Sequence, residues 1–305
     1  MMCCAACGTA EVDDIKLKDC SACKLVKYCG VKCQKEHRPQ HKRACKKRVA
    51  ELRDEILFKQ PESSHLGDCP ICCLPLPIDN DKSTLWSCCS KKICNGCNYA
   101  NQRREWKESL EKKCPFCRHP VPKLKEEIRK NYMKRIQEEA DKNFMKRIEV
   151  DDDVAILEMG LRRRDEGDIE GAFEYLTKAA ELGGAEAHYI LAVMYQEGKD
   201  VEKDEKKEVY HLEEAAIAGN PRARHNLGCH ESERFKYERA VKHWIIAANL
   251  GHEDSMHNVK EAYRSGLVSK EDFAAALRGH QAAIDAMKSP QREEAEAFVA
   301  RQKYR

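Results

Sequence analysis

The decapeptide Glu174-Tyr175-Leu176-Thr177-Lys178-Ala179-Ala180-Glu181-Leu182-Gly183 recurs as His211-Leu212-Glu213-Glu214-Ala215-Ala216-Ile217-Ala218-Gly219. It returns as Trp244-Ile245-Ile246-Ala247-Ala248-Asn249-Leu250-Gly251. The Ala-Ala pairs stand 36 and then 32 residues apart, and each closing glycine is followed by another helical stretch, at 185–197, 221–231 and 253–265. A period of this size marks an α-solenoid of helix pairs, in which each pair buries its apolar face against the next. Small alanines and glycines let paired helices approach closely. The 32-residue unit lacks the charged insert 199–208 and is expected to carry a trimmed loop. About three and a half repeats are expected over 151–288. The tail 289–305 is charged, with Pro290 as a stop, and is expected to cap the array or fray. His188, His225 and His257 recur in successive repeats but read as helix-face residues, and Cys229 reads as a buried small side chain.

Outward from the repeats the composition changes. Seventeen of the 18 cysteines lie before residue 118. Residues 1–60 carry 14 Lys and Arg against 8 Asp and Glu, residues 61–150 carry 18 against 13, and residues 151–305 carry 23 against 31. A basic, cysteine-rich front half is thus joined to an acidic helical back half. Apolar runs such as 244–248 fall far short of the roughly 18 residues that cross a bilayer, and residues 1–8 show neither an apolar leader core nor a basic leader. The expectation is a soluble intracellular protein, cytoplasmic or nuclear, with no membrane contact. In that compartment clustered cysteines read as metal ligands rather than disulfides.

The first cluster contains Cys4 and Cys7, Cys20 and Cys23, then Cys29, Cys33, His41 and Cys45. Eight ligands suffice for two tetrahedral zinc sites. Cys29 to Cys33 and His41 to Cys45 are i, i+4 spacings that suit a short helix. So little apolar material could hardly form a core without metal. The order, with Tyr28-Cys29, Cys33-Gln34, His41-Lys42 and Cys45, resembles the MYND zinc finger, over residues 1–47. The resemblance implies interleaved sites, with Cys4, Cys7, Cys29 and Cys33 on one zinc and Cys20, Cys23, His41 and Cys45 on the other. Arg38 stands where peptide-binding members of that family carry a tryptophan. Cys3 competes with Cys4 but gives the wrong gap, and His37 reads as an exposed helix residue.

After a linker at 48–66, a second cluster opens with Cys69-Pro70-Ile71-Cys72. Cys88 and Cys89 follow, then Cys94 and Cys97, then Cys114-Pro115-Phe116-Cys117. Eight ligands again suffice for two zinc ions, four in the whole chain. The order resembles an all-cysteine RING domain, over 67–120. The resemblance implies a cross-brace, with Cys69, Cys72, Cys94 and Cys97 on one zinc and Cys88, Cys89, Cys114 and Cys117 on the other. Cys73 reads as spare and His119 as a surface residue. RING domains hold a ubiquitin-conjugating enzyme and its ubiquitin in a reactive pose. On that pattern Ile71, Trp106 and Pro115 would contact the conjugating enzyme. Arg118, its backbone fixed by the preceding ligand and its side chain free, would bridge enzyme and ubiquitin as the orienting residue.

Beyond Pro122 an apolar residue recurs every fourth position, at Leu124, Ile128, Tyr132, Ile136, Ala140, Phe144 and Ile148. This predicts a linker helix over 121–150. Strict four-residue spacing drifts about 40° per step around a 3.6-residue turn, so the stripe cannot serve a long coiled coil and the helix is expected to pack locally at its ends.

The back half from residue 151 to 305 resembles Sel-1-like repeats, relatives of tetratricopeptide repeats, which bind proteins. The expected fold is therefore a set of small zinc-stabilised modules followed by an all-α helical repeat solenoid. The expected function is a RING-type ubiquitin-protein ligase whose repeats receive the protein substrate. The rival is a non-enzymatic zinc-finger and repeat scaffold or adaptor. A nucleic acid surface is the weakest alternative. Lys42, Arg43, Lys46, Lys47 and Arg48 lack interleaved aromatics and read as a solvated face.

Overall fold

The computed structural model describes residues 3–12, 15–121 and 129–303. The chain separates into two compact units, Met1–Lys59 and Gln60–Arg305. No described helix is long and apolar enough to cross a membrane.

The first unit is built on a two-residue hairpin, β1 (Lys18–Asp19) against β2 (Lys27–Tyr28), paired antiparallel. Its core is Leu17, Tyr28 and the thiols of Cys4, Cys20 and Cys23, which is too little apolar area to fold on its own. Helix α1 follows over Val31–Leu57 and buries only His41 and Leu57. Its second half carries Arg48 between Glu51 and Glu55, at 3.2 and 3.0 Å, exposed pairs that add little to stability. Two sequence expectations change here. The helix continues through the stretch read as a linker from residue 48, and it tolerates Pro39 in its interior. Cys29 precedes α1, so the i, i+4 helical pairing holds for His41 and Cys45 and not for Cys29 and Cys33.

The second unit opens with a small module. Strands β3 (Ser83–Trp86) and β4 (Lys91–Cys94) form an antiparallel hairpin, and α2 (Asn95–Lys107) leaves it directly. Its core is Cys69, Leu76, Ile93, Cys94 and Cys97. Helix α3 (Arg129–Ile148) follows. Leu124 and Ile128 of the four-residue pattern lie outside the described residues. Phe144 is buried with Ala155 and Met159, and Leu85 of β3 packs on the same cluster. Local packing at the end of this helix is thus what the sequence predicts.

Eight helices then alternate. They are α4 (Asp153–Asp165), α5 (Ile169–Glu181), α6 (Ala185–Glu197), α7 (Glu205–Ile217), α8 (Pro221–Glu233), α9 (Tyr237–Ala248), α10 (Glu253–Arg264) and α11 (Lys270–Ala286). The repeated alanines do what the pattern requires, since Ala179, Ala215, Ala216, Ala247 and Ala248 are fully buried between helices. The repeat glycines Gly183, Gly219 and Gly251 sit at φ +89°, +87° and +91°. That left-handed turn lets the chain reverse from one helix into the next.

The tail departs from expectation. It forms helix α12 (Pro290–Lys303), and Pro290 starts this helix rather than stopping the last one. Ser289 caps it, its Oγ accepting from Arg292 N at 3.3 Å. The helix packs against α2. Tyr99 and Phe298 rings lie 4.9 Å apart, and Arg103 pairs with Glu294.

A polar clasp fixes the start of the second unit on the repeats. Glu186 accepts from His65 Nε2 (3.1 Å), Asn220 Nδ2 (3.0 Å) and Arg222 Nη2 (2.6 Å). Burial alone would raise the Glu186 carboxyl, but His65 and Arg222 hold it below the usual range. His65 N donates to Gly219 O at 3.1 Å. At Gly219 a Cβ would stand 2.9 Å from Ser63 O, whereas at Gly183 it would meet nothing.

Two alanine variants separate turn strain from this docking. Gly183→Ala is expected to lose about 1–2 kcal/mol from left-handed strain, lowering the helical melting temperature by about 3–6 °C. Gly219→Ala should lose clearly more, because it also displaces the loop. Equal melting temperatures, followed by helical circular dichroism of zinc-loaded protein, would show that the loop contact adds nothing.

Candidate metal centres

Sixteen side chains gather into four tetrads. They are Cys4, Cys7, Cys29 and Cys33; Cys20, Cys23, His41 and Cys45; Cys69, Cys72, Cys94 and Cys97; and Cys88, Cys89, Cys114 and Cys117. In each, the ligand atoms lie within 4.8 Å of one another. A tetrahedral ion with Zn–S bonds near 2.3 Å requires sulfurs about 3.8 Å apart. Observed edges include Cys7–Cys29 at 3.6 Å, Cys20–Cys45 at 3.9 Å, Cys72–Cys94 at 3.8 Å and Cys89–Cys114 at 3.9 Å. Cys88–Cys117 is tighter at 3.3 Å, and Cys23 Sγ stands 3.1 Å from His41 Nε2. Each tetrad fits one zinc ion, and the pairing within each module is interleaved.

Local backbone explains the placement. In the knuckles the chain turns back under the first sulfur: Lys24 N bonds to Cys20 O at 2.9 Å, Cys73 N to Cys69 O at 2.8 Å and Arg118 N to Cys114 O at 3.0 Å. Lys24, Cys73 and Arg118 take φ of 52°, 53° and 62° to close these turns. Cys94 is both ligand and helix cap, its sulfur accepting from Cys97 N at 3.5 Å. The adjacent Cys88 and Cys89 share a centre because they occupy a turn after β3, with Ser90 at φ 50°. In an extended strand their side chains would point to opposite faces.

The electrostatics call for a cation. Backbone N–H groups of Cys7 and Cys29 lower the Cys4 thiol to about 6. Burial opposes ionisation of Cys20, yet knuckle amides bring it to about 6. Cys69 is lowered to about 4, first by the Cys94 thiol and then, against burial, by amides of its own knuckle. Each thiolate then resists the next. Hydrogen bonding to Cys29 and Cys7 pushes Cys33 up to about 12, while burial followed by Cys23 and Cys20 pushes Cys45 up to about 11. A divalent ion removes this conflict.

Among the residues sequence reasoning set aside, Cys3 and Cys73 are exposed and outside the tetrads. His37 is not exposed. It is half-buried, stacks on His41 at 5.7 Å and shares a 3.1 Å hydrogen bond with Tyr28 Oη, so it orients a ligand ring. Its position one helical turn before His41 was the available signal. His119 lies at the surface. Cys229 is only partly buried and packs on the Trp244 cluster.

The residues read as conjugating-enzyme contacts are distributed differently. Trp106 is 84% exposed and Ile71 41% exposed, whereas Pro115 is buried. Arg118 is not free: Nη1 donates to Asn101 Oδ1 at 3.0 Å. Asn101 Nδ2 in turn donates to the buried Glu105 (2.8 Å), which also accepts from Lys113 N at 3.0 Å. This network on α2 places the guanidinium at the module surface, and sequence reasoning missed it.

Comparison with known proteins identifies the first finger and the repeats. The MYND finger model matches residues 4–45. The chain carries a MYND finger. The Sel1 repeat model matches 155–184, 185–220 and 221–252. No curated protein matches the chain. Among solved structures, a Sel1 repeat protein from Oxalobacter formigenes is 21% identical over 54% of this chain and 79% of its own, with a TM-score of 0.42. The protective antigen c5321 of uropathogenic Escherichia coli, with an SLR fold, is 22% identical over 46% of this chain, with a TM-score of 0.39. This chain spans 32% of the c5321 structure. MamA is 19% identical over 58% of this chain and 99% of its own, with a TM-score of 0.32. The chain thus joins a zinc-binding MYND finger to Sel1 repeats, a repeat type of protein-interaction domain.

The adjacent-cysteine centre gives a test of stoichiometry. Elemental analysis of reduced protein should find four zinc ions per chain, and Cys89→Ala should hold three. Retention of four by Cys89→Ala would exclude Cys89 from the ligands.

Proposed function

We propose that the chain is a RING-type ubiquitin-protein ligase in which residues 67–120 engage a charged ubiquitin-conjugating enzyme and the repeats receive the protein substrate. The observation that supports this reading is the interleaved pair of tetrads at Cys69–Cys117 together with apolar side chains on that module that are exposed among the described residues. Ile71 on the first knuckle, Phe116 on the last, and Trp106 at the end of α2 are all exposed. Tryptophan is the side chain most enriched among the anchors of protein interfaces, and Trp106 is the most exposed of the large apolar side chains described. Pro115 stiffens the knuckle from within rather than meeting the enzyme.

Such a ligase contributes no nucleophile. Zinc, when bound, supplies rigidity to the two knuckles and takes no part in transfer. Ile71 and Trp106 would bury apolar area against the conjugating enzyme, and Arg118 would hold the thioester-linked ubiquitin in line for attack. A guanidinium suits that task because it donates several hydrogen bonds from one planar fork. To do so it exchanges its exposed bond to Asn101, at a cost of about 1 kcal/mol.

The two roles separate kinetically. Arg118→Ala should slow discharge of ubiquitin from the conjugating enzyme to free lysine by tenfold or more, with zinc content and enzyme binding unchanged, and Arg118→Lys should not restore it. Ile71→Ala should instead weaken binding, by roughly 2 kcal/mol. Wild-type discharge by Arg118→Ala with every productive enzyme would refute the orienting role. If the natural protein discharges none across a panel, the non-enzymatic scaffold reading replaces the ligase.

A further inference from the structure

Arg292 stands in the first turn of α12, 220 residues from Cys72 in sequence, yet its guanidinium reaches that cysteine. The residue is 7% exposed. Nη1 donates to the carbonyls of Pro75 at 2.8 Å and Met287 at 2.7 Å. Nη2 donates to Leu74 O at 3.2 Å and lies 3.5 Å from Cys72 Sγ. The backbone fits as closely. Gly96, between ligands Cys94 and Cys97, faces α12 so tightly that a Cβ would stand 2.8 Å from Arg292 N.

Burying a guanidinium against loop carbonyls alone is expensive, because no full counter-charge offsets its lost hydration. The adjacent tetrad supplies one. Four thiolates around a divalent ion leave a net charge of about −2, and Arg292 is placed against its rim. We infer that Arg292 is an outer-sphere residue of the centre formed by Cys69, Cys72, Cys94 and Cys97, so that metal binding there and docking of α12 strengthen each other. The coupling is reciprocal by linkage: whatever the guanidinium adds to metal affinity, the metal adds to retention of the helix. Outer-shell partners of metal ligands contribute about 10–100-fold in affinity.

The competing account is that Arg292 only pins the loop 74–75 to α12. Zinc release from the full-length protein to a chromogenic chelator separates the two. Arg292→Gln should release one of four zinc ions about tenfold faster and leave the other three unchanged. Glu294→Gln, which removes only the surface pair with Arg103, should leave all four unchanged. Release from Arg292→Gln at the natural rates for all four would overturn the proposal. Should that variant fail to fold, substitution of zinc by 113Cd provides the second measurement. Three tetrads are all-sulfur, and Arg292→Lys, which keeps the charge but loses the fork, should move one of their three resonances. A spectrum identical to that of the natural protein would equally overturn the assignment.

Discussion

Four thiols within 4.8 Å of each other cannot all ionise in the absence of a cation, and the cysteine-rich third of this protein is organised around that conflict. One thiolate is stabilised first, by backbone amides at Cys4 and Cys20 and at Cys69 by the Cys94 thiol followed by amides of its knuckle. The neighbouring thiols are then driven up, and only a divalent ion lets the set ionise together. Apolar burial is a minor term here. The first unit buries little besides Leu17 and Tyr28 around its ligands, and the metal replaces the core that so short a segment lacks. The repeats follow the opposite rule, since their stability comes from alanines buried between helices and from glycines that reverse the chain.

Two very different structures are joined in the second unit by junctions that each centre on a charged side chain. At one side the Glu186 carboxylate collects His65, Asn220 and Arg222. At the other the C-terminal helix returns to the small module through Arg292 and the Tyr99–Phe298 contact. Each junction places a charge in a half-dry environment and satisfies it with several partners. That arrangement favours one relative placement over many, because a slipped interface would leave Glu186 or Arg292 without compensation.

What could be read in the sequence is what spacing encodes. Cys-x2-Cys knuckles, the His41–Cys45 step and the recurring Ala-Ala-x-x-Gly are local patterns, and they identify ligands and helix pairs without tertiary knowledge. What could not be read depends on single polar residues meeting across the chain. Arg292 sits in a tail whose charged composition resembles a solvated segment, and nothing near it signals a buried guanidinium. Glu186 and His65 are unremarkable one at a time. The start of α12 has a local signal, since Ser289-Pro290 is a cap followed by a first-turn proline. Reading that proline as a stop missed the helix. The adjacent Cys88 and Cys89 were a fair puzzle, because their convergence needs a turn that the residues alone do not reveal.

Helix α2 is where these separate constraints meet. It has 13 residues and little amphipathic character, so its own propensity and burial give it scant reason to hold one position. Its first turn is fixed by Cys94 and Cys97, both ligands of one centre. Its first half is covered by α12, through Gly96 and Tyr99. Asn101 and Glu105 then tie it to the last knuckle and to Arg118, and Trp106 projects from its final turn. The exposed tryptophan and arginine therefore owe their mutual position to a metal at one end of the helix and to the C-terminal segment along its side. The proposed orienting role would require rigidity to within a fraction of an ångström, and a short polar helix gains rigidity here because it is held at three points along its length.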